Sequence, residues 1–523
     1  MYHMNKKILI ILILTACCFL YVYNIGARDF WAPDEGDFAQ IAKELNNNLV
    51  VPHLNNTPYA EKPPLFYYVV FIFTKVFYWL PDETSMRLTS SFGGFAMIAV
   101  FFFVVLSSFD IRRALVATAI LALSPLFYWQ ARYLQVDMVF ASFLVISLLL
   151  FFRFMENGRP VSWYLFCLFL ALAFMTKGPL SVALVAPVVL IYCATENKLP
   201  MVFEKRTVYG FLLFVVMVAP WYLAIYAQEG LPYLYENVLR QNFVRFYDAW
   251  SHKRPFYYYF TTLPLDFFPW SLFLPTGIYA AIKAWRVDNK VRFFSIWFLW
   301  FLFFLSLSSG KISKYMLPAL PALAVIVSGA ITDREALYNR IAFPVLSLIF
   351  VAMGIFLLSY RSEAYGEFAT EQIILGSLGI VLGLILSFFS LSRRTQMAFA
   401  SLVLLTGLIY MTGNMSVYYK WNRYKSPKAL CDKIRIFVGD HTPWVYYGSI
   451  RGVYVYYTGR FAVHIDEHNT AHLGRYAEEK EEFFLLTRKR DASEIEGTIP
   501  GVRVVFGQKV GSTEMVFLHY KKR

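Results

Sequence analysis

The stretch Pro63-Pro-Leu-Phe-Tyr-Tyr-Val-Val-Phe-Ile-Phe-Thr-Lys75-Val-Phe-Tyr-Trp-Leu80 decides how the chain is threaded. It is apolar enough to be read as a membrane span, yet two prolines open it, Lys75 interrupts it, and Tyr and Phe dominate it. Whether it crosses sets the side on which every later loop lies. A span needs about 20 predominantly apolar residues. Other runs of that kind are 7 to 26, 88 to 109, 114 to 130, 138 to 152, 163 to 176, 180 to 194 and 208 to 226. The series continues with 268 to 282, 293 to 308, 316 to 331, 341 to 359, 372 to 390 and 397 to 415, thirteen in all.

Charge placement resolves the ambiguous stretch. If 63 to 80 does not cross, the loops on one side carry Lys6 and Lys7, Arg112 and Arg113, Arg153 with Arg159, and Lys198 with Lys205 and Arg206. The same side then carries Lys283, Arg286, Lys290 and Arg292, Arg334 with Arg340, and Arg393 with Arg394. Every inside loop is positive, as the positive-inside rule requires. A crossing at 63 to 80 would break the rule at each later loop, so the stretch reads as an aromatic helix in the outer interface. The odd number of spans puts the N-terminus inside and the C-terminus outside.

Composition agrees. Of 523 residues, 58% are hydrophobic and 16% charged, against roughly 45 to 50% and 25% in soluble domains. Such a chain cannot cover itself with polar surface. The net charge of +14 follows from topology, so nucleic acid is not needed as a partner. Cys17, Cys18, Cys167 and Cys193 lie in apolar runs and Cys431 in a polar segment, with no disulfide or zinc spacing. No small-residue cleavage site follows the first apolar run, which reads as a retained span.

The expected architecture is a polytopic α-helical membrane domain over 1 to 415, with long outer loops at 27 to 87 and 227 to 267, and a soluble C-terminal domain over 416 to 523. In that tail, short runs such as Trp444-Val-Tyr-Tyr447 and Gly452-Val-Tyr-Val-Tyr-Tyr457 read as strands. Ser426 to Val438 reads as a helix, which makes a small α/β domain.

The chemistry gathers on the outer loops. Residues 28 to 44 read Arg-Asp-Phe-Trp-Ala-Pro-Asp34-Glu35-Gly-Asp37-Phe-Ala-Gln-Ile-Ala-Lys-Glu, with Phe38, Ile41, Ala42 and Leu45 on one helical face. Asp34 and Glu35 open that amphipathic helix, where acids also serve as caps. Further on, Tyr59-Ala-Glu61-Lys62-Pro63 sets a cation beside the free N–H groups of a proline-led first turn, which suits an anion.

Together these motifs resemble the GT-C membrane glycosyltransferases, specifically the bacterial 4-amino-4-deoxy-L-arabinose lipid A transferase and dolichyl-phosphate-mannose protein mannosyltransferase group. The matching stretches are Trp31-Ala-Pro-Asp34-Glu35, Tyr59-Ala-Glu61-Lys62-Pro63, Arg132-Tyr-Leu-Gln-Val-Asp137 and Thr176-Lys177-Gly178-Pro179. Arg245-Phe246, His252-Lys-Arg254-Pro-Phe-Tyr-Tyr-Tyr259, Pro269-Trp270 and Ser309-Gly-Lys311-Ile-Ser-Lys314-Tyr315-Met-Leu-Pro318 complete the set.

The resemblance implies an inverting transferase that uses a polyprenyl-phosphate sugar at the outer face of a bacterial cytoplasmic membrane. The acceptor would be lipid A, another envelope glycan, or a secreted protein as in the mannosyltransferases. An acceptor hydroxyl needs a carboxylate to take its proton, a role that falls to Asp34 with Glu35 in support. The departing phosphate needs cations, for which Lys62, Arg254, Lys311 and Lys314 are placed, with Tyr315 and Tyr59 as hydroxyl donors. Arg132, Asp137 and Lys177 would shape the cavity, Arg132 as an ion-pair partner of Asp137 and Lys177 as a bridge to it. In the relatives a divalent metal lies near this site, at positions matching Glu61 and His252; two ligands are fewer than a closed zinc site uses.

One departure stands out. Gly36-Asp37 replaces a polar residue followed by arginine, which weakens the case for an anionic acceptor beside the base. A secondary transporter would instead place ionisable groups near the bilayer midplane and show repeated halves, and neither pattern is present. A polytopic scaffold would leave the Asp34-Glu35 and Glu61-Lys62 pairs without a purpose.

Overall fold

The computed structural model describes residues 6–332, 339–360, 363–439, 442–467 and 469–522; Arg334, assigned above to an inside loop, lies outside the described residues. Among them, nine helices are long and apolar enough to cross a membrane, or up to eleven if each of two bent pairs counts as one span. These coincide with eleven of the predicted runs. The other two are the shorter apolar helices Ile10–Val22 and Leu180–Thr195, so length and composition alone support nine to eleven spans and leave thirteen as an expectation.

The bends have identifiable sources. Ile111–Ala122 and Pro125–Ala131 meet at 67°, where Pro125 cannot continue the ladder of backbone hydrogen bonds. Tyr258–Asp266 and Trp270–Ala284 meet at 114° across Pro269, so the single predicted run 268 to 282 starts within the turn and leaves out the helix before it. Leu65–Val76 is a helix of 12 residues, about 18 Å long at about 1.5 Å per residue and shorter than a hydrocarbon core of about 30 Å.

The chain divides into two compact units, 1–25 with 60–66 and 87–417, and 26–59 with 67–86 and 418–523. The first holds the helical core. Its aromatics pack ring to ring, as in Phe152 stacked on Phe293 at 4.8 Å and Tyr192 set edge-on to Phe293 at 5.0 Å. Pairs of this kind contribute about 0.5–1.5 kcal/mol each beyond area burial. Asn339–Ser359 and Ala369–Leu391 approach through small residues: a Cβ on Gly354 would lie 2.5 Å from the Gly376 carbonyl oxygen. Arg132 Nη1 donates to the carbonyls of Leu20 and Tyr21 at 3.0 and 2.8 Å, tying the first helix to the break after Ala131.

The second unit brings 26–59 and 67–86 together with the polar tail. A hairpin joins β1 (His53–Leu54) to β2 (Thr57–Pro58). The tail forms a mixed sheet of β3 (Trp444–Tyr447), β4 (Val463–Ile465), β5 (Glu482–Arg488), β6 (Arg503–Val510) and β7 (Thr513–Lys521), in the order β4-β3-β5-β7-β6. β3 runs parallel to β4 and β5, and β7 antiparallel to β5 and β6. The helix expected near Ser426 to Val438 is Lys428–Phe437. Gly452–Tyr457, expected as a strand, is instead the helix Gly452–Thr458, ended by Gly459 in the left-handed region. Its alternating aromatics suggested a pleat, but the segment is buried along nearly its whole length, and tertiary packing overrides that preference.

Candidate active site

Asp34 is the first residue of the helix Asp34–Glu44, following Pro33, and is half-buried. Glu35 is fully buried. Its Oε1 meets Arg28 Nη2 at 2.9 Å and its Oε2 accepts the Trp31 N–H at 3.3 Å. The Arg28 guanidinium also covers the Trp31 ring at 4.5 Å. Glu35 therefore braces the turn that carries Asp34, which is how it would support the base. Tyr59 donates its N–H to the Pro52 carbonyl, and its ring lies edge-on to Tyr67 at 6.2 Å.

In the membrane unit, a cluster of cations surrounds Asp137, the second residue of the helix Val136–Asn157. Lys177 Nζ lies 2.5 Å from Asp137 Oδ1 and Lys314 Nζ 3.3 Å from Oδ2. Lys177 also faces the Tyr315 ring at 4.6 Å. The bridge from Lys177 to Asp137 is thus formed, while Arg132 donates to the Leu20 and Tyr21 carbonyls. Lys62 shares this neighbourhood. Its ammonium, crowded by protein atoms and by Arg245 and Lys177, is held down to about 8 despite the opposing pull of Glu61 and Asp137. Four cations, Lys62, Lys177, Lys314 and Arg245, stand with two carboxylates, Glu61 and Asp137, an excess of two positive charges. An anion of phosphate charge would neutralise it.

A second group forms where 248–254 runs beside 308–311. Lys253 pairs with Gly310 as an antiparallel bridge, the Arg254 N–H donates to the Ser309 carbonyl at 3.2 Å, and the Lys311 N–H to the His252 carbonyl at 3.0 Å. Lys311 Nζ donates to the Arg254 carbonyl at 3.0 Å and also to that of Ser308. Burial pushes this ammonium down, and it is largely occupied as a brace. The Arg254 side chain is exposed.

Among the described residues, no three His, Cys, Asp or Glu side chains converge to hold a metal ion. Glu61 and His252, the two candidate ligands, are both exposed. Two contributors carry no role in the sequence reading. Arg245 joins the Lys62 cluster. Buried Asn237, on the π-helix Tyr235–Val244, donates to the Ala60 carbonyl at 2.9 Å and so anchors the Glu61-Lys62 turn. Both lie on the second long loop, and Arg245 also falls in one of the stretches that carry the resemblance.

Known proteins resemble this chain in sequence and in fold. The family profile described as dolichyl-phosphate-mannose-protein mannosyltransferase matches residues 61–223. The undecaprenyl phosphate-alpha-4-amino-4-deoxy-L-arabinose arabinosyl transferase of Pectobacterium atrosepticum is 30% identical over 290 residues, covering 53% of this chain and 50% of that protein. The chain spans about half the length of the curated relatives it matches, 58%, 50% and 49% for three of them. The crystal structure of ArnT from Cupriavidus metallidurans bound to undecaprenyl phosphate superposes with a TM-score of 0.82 at 15% identity, covering 98% of this chain and 97% of that one. The fold is that of ArnT. In sequence the chain resembles the undecaprenyl phosphate-alpha-4-amino-4-deoxy-L-arabinose arabinosyl transferases.

Proposed function

We propose that the protein transfers a sugar from a polyprenyl phosphate to an envelope acceptor, with inversion, at the outer face of a bacterial cytoplasmic membrane. The observation that carries this reading is the cation excess around Asp137, Lys62, Lys177 and Lys314, in a fold shared with a protein crystallised with undecaprenyl phosphate. The acceptor hydroxyl attacks the anomeric carbon and its proton passes to Asp34. The bond from that carbon to the phosphate oxygen breaks with its electron pair, leaving a polyprenyl phosphate anion. Lys62 and Lys314 neutralise that charge, with Tyr315 as a hydroxyl donor; Arg254 is the exposed cation available to the donor. Preorganised cations of this kind act where charge develops in the transition state.

Lipid A or another envelope glycan is the acceptor we favour, since relatives at 30% and 31% identity are arabinosyl transferases. The mannosyltransferase profile over 61–223 supports a second reading, with Ser or Thr of a secreted protein as acceptor. Mass spectrometry of lipid A and of secreted proteins, from cells with and without the gene, separates them. A pentosamine or hexose mass missing from lipid A supports the first reading, and one missing from a protein supports the second. No difference in either fraction would refute both.

A further inference from the structure

We propose that Asn422, Asp37 and Gly452 are positioning residues for the Asp34 helix, so that the tail takes part in transfer; this rests on Asp34 acting as the base. The segment before that helix directs its hydrogen bonds to the tail. Asn422 Oδ1 accepts the Asp29 N–H at 3.0 Å and the Trp31 Nε1–H at 3.1 Å, while its Nδ2 donates to the Ala27 carbonyl at 3.1 Å. The Phe30 N–H donates to the Tyr457 hydroxyl at 2.7 Å. Trp31 then passes the constraint to the first helical turn through its N–H to Glu35.

A second clamp lies on the other side of Asp34. Asp37 Oδ1 accepts the Gly452 N–H at 2.5 Å. A Cβ on Gly36 would fall 2.1 Å from Val453 Cβ, and one on Gly452 would fall 2.8 Å from Asp37 Cα. The two helices therefore meet backbone to backbone, at a spacing that only glycine on each side permits. Asp34 sits between the clamp at 27–31 and the clamp at 36–37. This also accounts for the departure at Gly36-Asp37, since the carboxylate is spent on a tail amide rather than turned toward an acceptor. A base must reach its proton within hydrogen-bonding distance, and a displacement of about 1 Å costs about 100-fold in rate.

The test uses the purified full-length protein with undecaprenyl-phosphate-linked 4-amino-4-deoxy-L-arabinose or mannose, whichever the wild type consumes, and hydrogen exchange of the 27–44 peptide. Asn422→Ala and Asp37→Ala should lower kcat about 10- to 100-fold with the donor KM unchanged. Asn422→Ala should also speed exchange of that peptide and add no loss to Asp34→Asn. Asp37→Asn keeps an oxygen acceptor for Gly452 and should retain wild-type kcat. If Asn422→Ala fails to fold, the Asp37 pair decides the matter. Wild-type kcat in Asn422→Ala, with or without faster exchange, would overturn the positioning role, as would equal losses in Asp37→Asn and Asp37→Ala. Full activity of Asp34→Asn would remove the base assignment itself, while the exchange readout still reports whether the clamp exists.

Discussion

Lys177 and Asp137 meet at 2.5 Å with only 10% and 4% of their side chains exposed, 40 residues apart in sequence. An ion pair so buried is sustained by mutual compensation, with Lys314 as the third member. Removing the carboxylate leaves two ammonium groups facing each other away from water. Asp137→Ala should therefore cost roughly 3–5 kcal/mol of stability, seen as a lowered unfolding midpoint in detergent. Lys177→Met, which leaves Asp137 its Lys314 partner, should cost less. Equal midpoints for wild type and Asp137→Ala would show the pair to be of no consequence for folding.

Lys62 predicts a pH limb. Its ammonium is held down to about 8 from the ordinary lysine value, chiefly by burial. A depressed lysine is charged below that value and neutral above it, so its hold on a phosphate weakens as pH rises through about 8. The donor KM should climb across that range, and Lys62→Arg, charged throughout, should flatten the climb. An identical limb in Lys62→Arg assigns it to another group.

Asp34→Asn should lower transfer by about 100- to 10,000-fold, the usual contribution of a positioned base, while membrane insertion and the unfolding midpoint stay at wild-type values. The side chain is half-buried at a helix start, and the amide preserves its size. Wild-type turnover in this variant removes Asp34 from the chemistry.

The threading has its own measurement. A single cysteine at Thr57, exposed in β2, should react with an impermeant thiol reagent on intact cells. Thr57 is a better site than Asn55 or Asn56, whose positive φ of 54° and 60° a cysteine would resist. Labelling only after permeabilisation would invert the whole chain.

Much of this was legible in sequence. The apolar runs are helices, because burying twenty residues in hydrocarbon leaves the backbone no partner but itself. Proline breaks at 63–64 and Pro269 punctuate them as their missing N–H dictates. The cations that gather around Asp137 were also named in advance, though Arg245 without a role, because charge on a hydrophobic chain is rare enough to be conspicuous. Their pairing was less legible: Arg132 was expected on Asp137, and its guanidinium instead serves two helix-end carbonyls.

What sequence alone determined was the polytopic helical class of the molecule, the order of its apolar segments, and the residue types gathered on its two long loops, since these follow from local composition and spacing. Tertiary structure decided the partners. Gly452–Thr458 became a helix under burial rather than the strand its alternation suggested. Gly36 and Asp37 proved to be a seat for the tail, and Asn422 proved to hold a segment some four hundred positions away. Contacts between segments so distant leave no periodicity to read, because each depends on the close approach of two backbones that only the finished fold brings together.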